Sequence, residues 1–127
     1  MSTLNRIGLD AEKSKQEADM LNDLLANYSV FYQNTRGYHW NIRGEQFFEL
    51  HEIFEELYSD LFEKIDDVAE RVLTLGYTPD HKYERYLKVS EVKESNEVND
   101  GKRAVEQILD AFQIILSKQR TLLDFSD

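Results

Sequence analysis

The chain has 127 residues with one proline, five glycines and no cysteine. This length suits a single domain with a modest core, and the lack of cysteine excludes disulfides and thiolate metal sites. The formal net charge of −10 disfavours contact with phosphate backbones and favours cations, although a solvated helical surface has the same composition. No signal-like N-terminus and no apolar run of membrane-spanning length occur, so we expect a soluble cytoplasmic protein.

The first predicted helix covers residues 18–39. Apolar residues recur there at helical spacing, and a further step of seven from Tyr32 reaches His39. Gly37 and Gly44 are predicted to bracket the helix end and a turn around the sequence YHWNIR. We expect the tyrosines of this stripe to belong to the core. The stripe consists of Ala18, Leu21, Leu24, Leu25, Tyr28, Phe31 and Tyr32.

The second helix has the strongest pattern in the chain. Its apolar positions alternate steps of four and three from residue 47 to residue 72, as in a heptad seam. Gly76 is well placed to end this helix, with Pro79 shortly after. The seam consists of Phe47, His51, Phe54, Tyr58, Leu61, Ile65, Val68 and Val72.

The rest of the chain predicts a short helix over residues 80–95 and a third long helix over residues 99–123. The inner stripe of that third helix is predicted to be Val105, Ile108, Phe112, Ile115 and Leu122. We therefore expect one all-α domain over residues 1–127. Because the second helix is apolar over a wide arc, we expect a fourth bundle helix to be missing through C-terminal truncation, or a partner chain to take its place.

Four polar residues with metal-ligand chemistry lie on one side of the second helix: His51, Glu55, Asp66 and Glu70. His51 and Glu55 are four residues apart, as are Asp66 and Glu70, so each pair can reach a common point. The two pairs are separated by roughly 22 Å of helix rise. An antiparallel copy of the helix, related by a two-fold axis, would bring them together, and His39 could close the same site.

Two imidazoles and three carboxylates suit Fe(II), Mn(II) or Zn(II). An ordinary explanation remains open, because a histidine on a helix face is usually a core or surface residue. Carboxylates four residues apart also occur by chance in an acidic helix, as Glu56 and Asp60 do here. His81 has no ligand partner at helical spacing and is expected to be a surface residue.

The sequence resembles the Dps family of mini-ferritins over about residues 18–123. YHWNIRG, then LHEIFEELYSDL and KIDDVAERVLTLG carry the resemblance through their order and spacing. The resemblance implies a ferritin-like four-helix bundle with a short helix between helices two and three. It also implies twelve copies in a hollow shell, with ferroxidase sites at the two-fold interfaces. There Fe(II) would be oxidised, preferentially by hydrogen peroxide, and stored as a ferric mineral.

The family ligands match His39 and His51 of one subunit with Asp66 and Glu70 of its neighbour, and Trp40 matches a flanking tryptophan. Trp40 would serve as an interface anchor or absorb stray oxidising equivalents. The chain departs from the family at Glu55, where an aspartate is usual, in the absent fourth helix, and in the N-terminal tail. The first twenty residues hold three basic side chains among four acids, so we expect no direct DNA binding.

The sequence therefore predicts a ferroxidase and iron store that protects against oxidative stress. His39, His51 and Glu55 would hold iron from one side, and Asp66 and Glu70 of the partner from the other. The alternative is a non-catalytic helical assembly protein, DNA-protecting or partner-binding, with a vestigial metal site.

Overall fold

The computed structural model describes residues 11–45 and 47–126, which form three long helices and one short one. The helices are α1 (Ala11–Asn41), α2 (Phe47–Thr74), α3 (Tyr83–Val89) and α4 (Gly101–Ser126). Within those residues the only strand-like pairing is an isolated bridge between Arg43 and Asp100. The predicted all-α class is therefore confirmed.

α1 and α2 form a helical hairpin through a short turn. α1 continues through Gly37, as the position of His39 in the stripe required, and ends at Asn41. Gly44 has a φ of 109°, a left-handed conformation that costs glycine no side-chain clash. Gly76, with a φ of 91°, closes the other end of α2, where its N–H bonds the carbonyl of Leu73. Both glycines act as the sequence predicts.

α4 packs antiparallel on α1, with polar contacts along its length. The Tyr38 hydroxyl donates to Gln107 Oε1 at 2.6 Å, and Gln119 Nε2 donates to the Tyr28 hydroxyl farther along. The order of these contacts shows that residue numbers fall along α1 as they rise along α4. α1 therefore has α2 and α4 as antiparallel neighbours.

The connection between α2 and α4 runs beside α1 and is held by three asparagines of that helix. Asn22 Oδ1 accepts the backbone N–H of Asp80 at 2.8 Å, and Asn34 Oδ1 accepts that of Ser95 at 2.9 Å. Between them, fully buried Asn27 accepts the N–H groups of Glu91 and Val92 at 2.9 and 3.1 Å. The non-helical parts of this connection have no sheet partner, and their backbone N–H groups are instead hydrogen-bonded by side chains of α1.

The core lies where the predicted stripes of α1, α2 and α4 meet. Phe31, Phe54 and Leu61 are each only 1 % exposed, and the ring of Phe31 meets Phe112 edge-on at 5.2 Å. The stripe of α1 is confirmed as core, including Tyr28, whereas Tyr32 is only partly buried at its edge.

The structure corrects two details of the sequence prediction. Val105 is 37 % exposed, and Ala104 and Ala111 take the inward positions of α4 beside Ile108 and Ile115. A small residue permits a closer approach of two helices, which apolar patterning alone does not reveal. The short helix spans seven residues rather than most of 80–95, because Ser90 leaves the helix in an extended conformation and bonds Asn27.

No fourth long helix lies within residues 11–45 and 47–126, as the sequence predicts for this stretch. The N-terminal stretch behind the DNA-binding expectation lies outside the described residues up to position 10. None of the described helices is both long enough and apolar enough to cross a membrane.

Replacement of Asn27 by alanine tests the role of this side chain in holding the connection. The change leaves the N–H groups of Glu91 and Val92 without an acceptor, so we expect the free energy of unfolding to fall by about 3 kcal/mol. Urea unfolding followed by circular dichroism measures it. Asn34→Ala, at a more exposed position, is the matched control and should cost less; equal losses would contradict the assignment.

Candidate metal centre

Three side chains at the α1–α2 hairpin form a cluster with metal-ligand chemistry. His39 comes from the last turn of α1, and His51 and Glu55 come from the first half of α2. One ligand atom from each lies within 4.8 Å of the other two. The structure thus brings His39 next to the His51–Glu55 pair, and the binding of a metal ion by these residues stays a prediction.

The two histidines hold each other through a reciprocal pair of hydrogen bonds. Nδ1 of His39 lies 2.6 Å from the carbonyl oxygen of His51, and Nδ1 of His51 lies 2.7 Å from that of His39. A carbonyl oxygen can only accept, so each Nδ1 must carry the proton and donate it. In the neutral rings this leaves both Nε2 lone pairs free for a cation.

The end of α1 explains one of these bonds. The carbonyl of His39 belongs to the last turn of the helix, where carbonyls lack helical partners. The next N–H that could reach it, that of Arg43, bonds the carbonyl of Asn99 instead at 3.0 Å. The imidazole of His51 therefore donates a hydrogen bond to a carbonyl that the helix end leaves without a backbone partner.

Aromatic rings fix the orientation of the histidine pair. The two imidazoles stack with centroids 3.6 Å apart and planes 18° from parallel. Phe47 stacks on the outer side of His51 at 4.8 Å, and Tyr58 meets His39 edge-on at 5.3 Å. The ligand nitrogens thus lie on rings that have little freedom to rotate.

Burial decreases across the cluster, from the histidines to the carboxylate. His39 is 7 % exposed, whereas the Glu55 side chain is 57 % exposed and approaches Nε2 of His39 at 3.9 Å. That separation is too long for a hydrogen bond but fits two ligands that bind one cation at roughly 2.1 Å each. The donor set of imidazole and carboxylate suits Fe(II), Mn(II) or Zn(II).

Asp66 and Glu70 do not join this cluster within one chain. Both are exposed and lie farther along α2, at a helix rise from His51 of roughly 22 Å for Asp66 and roughly 28 Å for Glu70. α2 as a whole carries nine acidic residues and two basic ones, so its exposed surface attracts cations. The participation of Asp66 and Glu70 remains a prediction that requires a second chain.

Trp40, expected to flank the site, points outward and is 54 % exposed. The guanidinium of Arg36 lies over its ring at 4.7 Å and over the ring of Tyr32 at 5.4 Å. Phe47 and Tyr58 were predicted to lie in the apolar seam, and their contacts with the histidines were not predicted. The spacing of four residues between Phe47 and His51 indicates the first contact, whereas the contact of Tyr58 with His39 joins two helices and leaves no such signal.

Comparison with known proteins agrees with this architecture. A family model described as a ferritin-like domain matches residues 18–127. An uncharacterized protein of Haemophilus influenzae is 50 % identical over 95 % of this chain and 76 % of its own length. The DNA protection during starvation protein of Porphyromonas gingivalis is 44 % identical over 92 % of this chain and 74 % of its own length.

Solved structures give the same result. The Dps protein of Vibrio cholerae, titled a member of a superfamily of ferritin-like diiron-carboxylate proteins, superposes with a TM-score of 0.95 at 52 % identity. The match covers 99 % of this chain and 79 % of that one. A Dps protein of Bacillus brevis gives 0.88 at 32 % identity, over 91 % of this chain and 78 % of that one. The chain belongs to the Dps family of mini-ferritins, within the ferritin-like proteins.

Proposed function

We propose that this protein is a ferroxidase and iron store that protects against oxidative stress. Fe(II), the substrate, is oxidised with hydrogen peroxide or dioxygen, and the ferric product is stored as a mineral. The observation that carries the proposal is the cluster of His39, His51 and Glu55, in which one ligand atom from each residue lies within 4.8 Å of the other two. A ligand set of this kind with open positions is typical of non-haem iron sites that meet an oxidant.

Two copies of the chain share each site in this proposal. An antiparallel α2 from a two-fold mate brings Asp66 and Glu70 of the partner opposite His51 and Glu55, so every dimer has two identical sites. Large apolar side chains exposed on α2 favour such a contact, since Phe48 is 81 % and Phe62 62 % exposed. Family likeness extends the dimer to a shell of twelve copies, whose acidic surfaces draw in Fe(II).

The residues of the chain have separate roles in the reaction. His39, His51 and Glu55 bind Fe(II) and keep it at an edge of the protein that peroxide can reach. The Nδ1–H bonds to backbone carbonyls keep the Nε2 atoms aimed at the cation. The partner's carboxylates add negative charge, which stabilises Fe(III) over Fe(II) and so favours loss of the electron.

The relatives named for DNA protection support a second candidate: a helical assembly that shields DNA or binds a partner without catalysis. The net charge of −10 opposes direct contact with DNA. This candidate would be favoured if the full-length protein retards duplex DNA in a gel-shift assay at low salt and has no ferroxidase activity.

The catalytic role of the cluster is tested by Glu55→Gln and His51→Ala. Each removes a ligand, so we expect the initial rate of Fe(II) oxidation by hydrogen peroxide to fall by about tenfold or more. The absorbance of the ferric product measures it. His81→Ala, which replaces an exposed histidine outside the cluster, should keep the wild-type rate. Equal rates in all four proteins would refute the ferroxidase proposal.

Sharing of the site between two chains is tested by mixing two inactive variants. One carries His51→Ala and Glu55→Ala, and the other carries Asp66→Ala and Glu70→Ala. After unfolding and co-assembly at equal concentrations, random pairing restores about a quarter of the sites, because only mixed dimers hold one complete set. Recovery of activity to that level supports sharing. No recovery in mixed dimers isolated with two affinity tags, or full activity of the Asp66/Glu70 variant alone, would refute it.

A further inference from the structure

Three large apolar side chains of α2 are exposed on one side of the helix. Phe48 is 81 % exposed, Phe62 62 % and Leu73 60 %. At about 100° per residue, their directions around the helix axis differ by no more than about 40°. A soluble protein that exposes several large apolar side chains together usually has a binding surface there. These residues therefore indicate a face of α2 that another molecule covers.

The same side of α2 carries two of the candidate metal ligands. Glu55 and Asp66 lie in the same angular sector as the three apolar side chains. All five residues belong to a row that alternates steps of four and three residues, as in a coiled-coil seam. We call it the outer row, because it lies beside the buried seam of α2. The outer row consists of Phe48, Glu52, Glu55, Ser59, Phe62, Asp66, Ala69 and Leu73.

The pairing of ligands in the proposed dimer locates a two-fold axis on this row. Glu55 of one chain and the partner's Asp66 contribute to one site, and the α2 helices of the two chains are antiparallel. The axis therefore crosses α2 between Asp60 and Leu61, halfway from Glu55 to Asp66. Residues equally far from that point on its two sides then face each other across the interface.

The apolar residues of the outer row agree with this pairing, although they played no part in locating the axis. Phe48 faces the partner's Leu73, so two exposed apolar side chains cover each other. Phe62 faces the partner's Ser59, whose small side chain leaves room for the ring. The apolar residues and the metal ligands thus indicate the same register.

A shift of the two helices by one heptad in either direction would lose these contacts. Phe62 would then face the partner's Asp66 or the partner's Glu52. Burial of a carboxylate against an aromatic ring without a charged partner is costly. Of these three registers, only the one that the ligands require places Phe62 against a small side chain and covers both Phe48 and Leu73.

We propose that Phe48, Phe62 and Leu73 set the register in which two copies of this chain pair, and so act as positioning residues for the shared metal site. This inference rests on the proposed function for the location of the axis. It adds that apolar contacts, rather than the cation, select the register. Each site then lies between two apolar contacts, with the Phe62 contact on the side of the axis and the Phe48–Leu73 contact on the outer side.

The charges of the row explain why apolar contacts are needed. Without a cation, Glu55 and the partner's Asp66 face each other with the same charge and repel. Burial of the apolar side chains is the favourable contribution that can offset this repulsion. The dimer should therefore form in the same register in metal-free protein.

Crosslinking in the presence of EDTA tests the register. The chain has no cysteine, so introduced thiols are the only ones. Full chains that carry Phe48→Cys or Leu73→Cys, each with its own affinity tag, are unfolded, co-assembled and treated with a short bismaleimide. We expect the crosslink to join the two different chains. Each variant alone should give none, because like positions lie roughly 37 Å apart along the helices.

Ile53→Cys co-assembled with Leu73→Cys is the matched control. Ile53 is 53 % exposed on α2 but lies on the opposite side of the helix from Leu73, so this mixture should give no crosslink. Crosslinking of Phe48→Cys to itself would indicate parallel helices and overturn the proposal. An equal yield in the control mixture and the Phe48–Leu73 mixture would overturn it as well.

Exchange of the large and the small side chain tests the contact at the axis. Phe62→Ser leaves a cavity between two serines, and Ser59→Phe brings two rings into one space. We expect each change to raise the dissociation constant of the metal-free dimer by about tenfold or more. In Ser59→Phe/Phe62→Ser a ring again faces a serine, so the constant should return to within about threefold of the wild-type value. Sedimentation over a dilution series measures it, and a double variant as weak as the single ones would overturn the pairing.

The outcomes separate this inference from the function on which it rests, because both tests are made without iron. Fe(II) oxidation by the wild type with no Phe48–Leu73 crosslink would overturn the register alone. The crosslink and the recovery in the exchanged variant, with no Fe(II) oxidation beyond that of His51→Ala, would overturn only the ferroxidase proposal. If Phe48→Cys loses its helical circular dichroism, Phe62→Cys decides, because its two copies lie beside the axis and must crosslink to each other; no crosslink there overturns the register.

Discussion

The whole fold depends on α1, which is packed against α2, α4 and the connection between them. Its core residues, Leu24, Leu25 and Phe31, are each at most 4 % exposed. The asparagines of α1 bond a connection that would otherwise have no regular backbone partners. Because α2 and α4 are both antiparallel to α1, the long connection must return along the bundle, and these side chains determine its path. The position of His39 at the end of α1 is therefore set by the most enclosed helix in the molecule.

The reciprocal hydrogen bonds between His39 and His51 both connect α1 to α2 and orient the two imidazole rings. Each imidazole donates Nδ1–H to the backbone carbonyl of the other, so the contact that closes the hairpin also selects the tautomer with Nε2 available. Replacing either histidine removes a candidate ligand and leaves a carbonyl of the hairpin without its imidazole donor. Glu55 makes no comparable contact within the described residues apart from its approach to His39.

The sequence predicted the three long helices, the turn that includes Gly44, the end of α2 near Gly76, and the family, because periodic apolar residues and glycine act locally. It also predicted that His39 joins His51 and Glu55, since the stripe of α1 points to His39. It did not predict the bonds of Asn27 to residues 90–92 or the inward positions of Ala104 and Ala111. Those depend on contacts between segments far apart in the chain. The carbonyl acceptors of the two imidazoles were likewise hidden, because side-chain periodicity carries no information about backbone groups at helix ends.

Within one chain, the histidines and the carboxylate of the candidate site differ in burial, and this difference limits how firmly one chain alone could bind a cation. The two histidine rings are enclosed and oriented by stacking, whereas the Glu55 side chain is mostly exposed. The remaining acidic residues of α2 lie on a surface with few basic side chains. A cation held by the two imidazoles and only one carboxylate would keep most of its positive charge uncompensated and would be reached by water on the open side. Exposed carboxylates at Asp66 and Glu70 repel each other unless a cation or a basic group lies between them. In the proposed dimer, one antiparallel contact would remove both deficits, because it would place the carboxylates of Asp66 and Glu70 opposite the imidazole nitrogens of the other chain. Dimer formation and metal binding would then be linked, and each would strengthen the other.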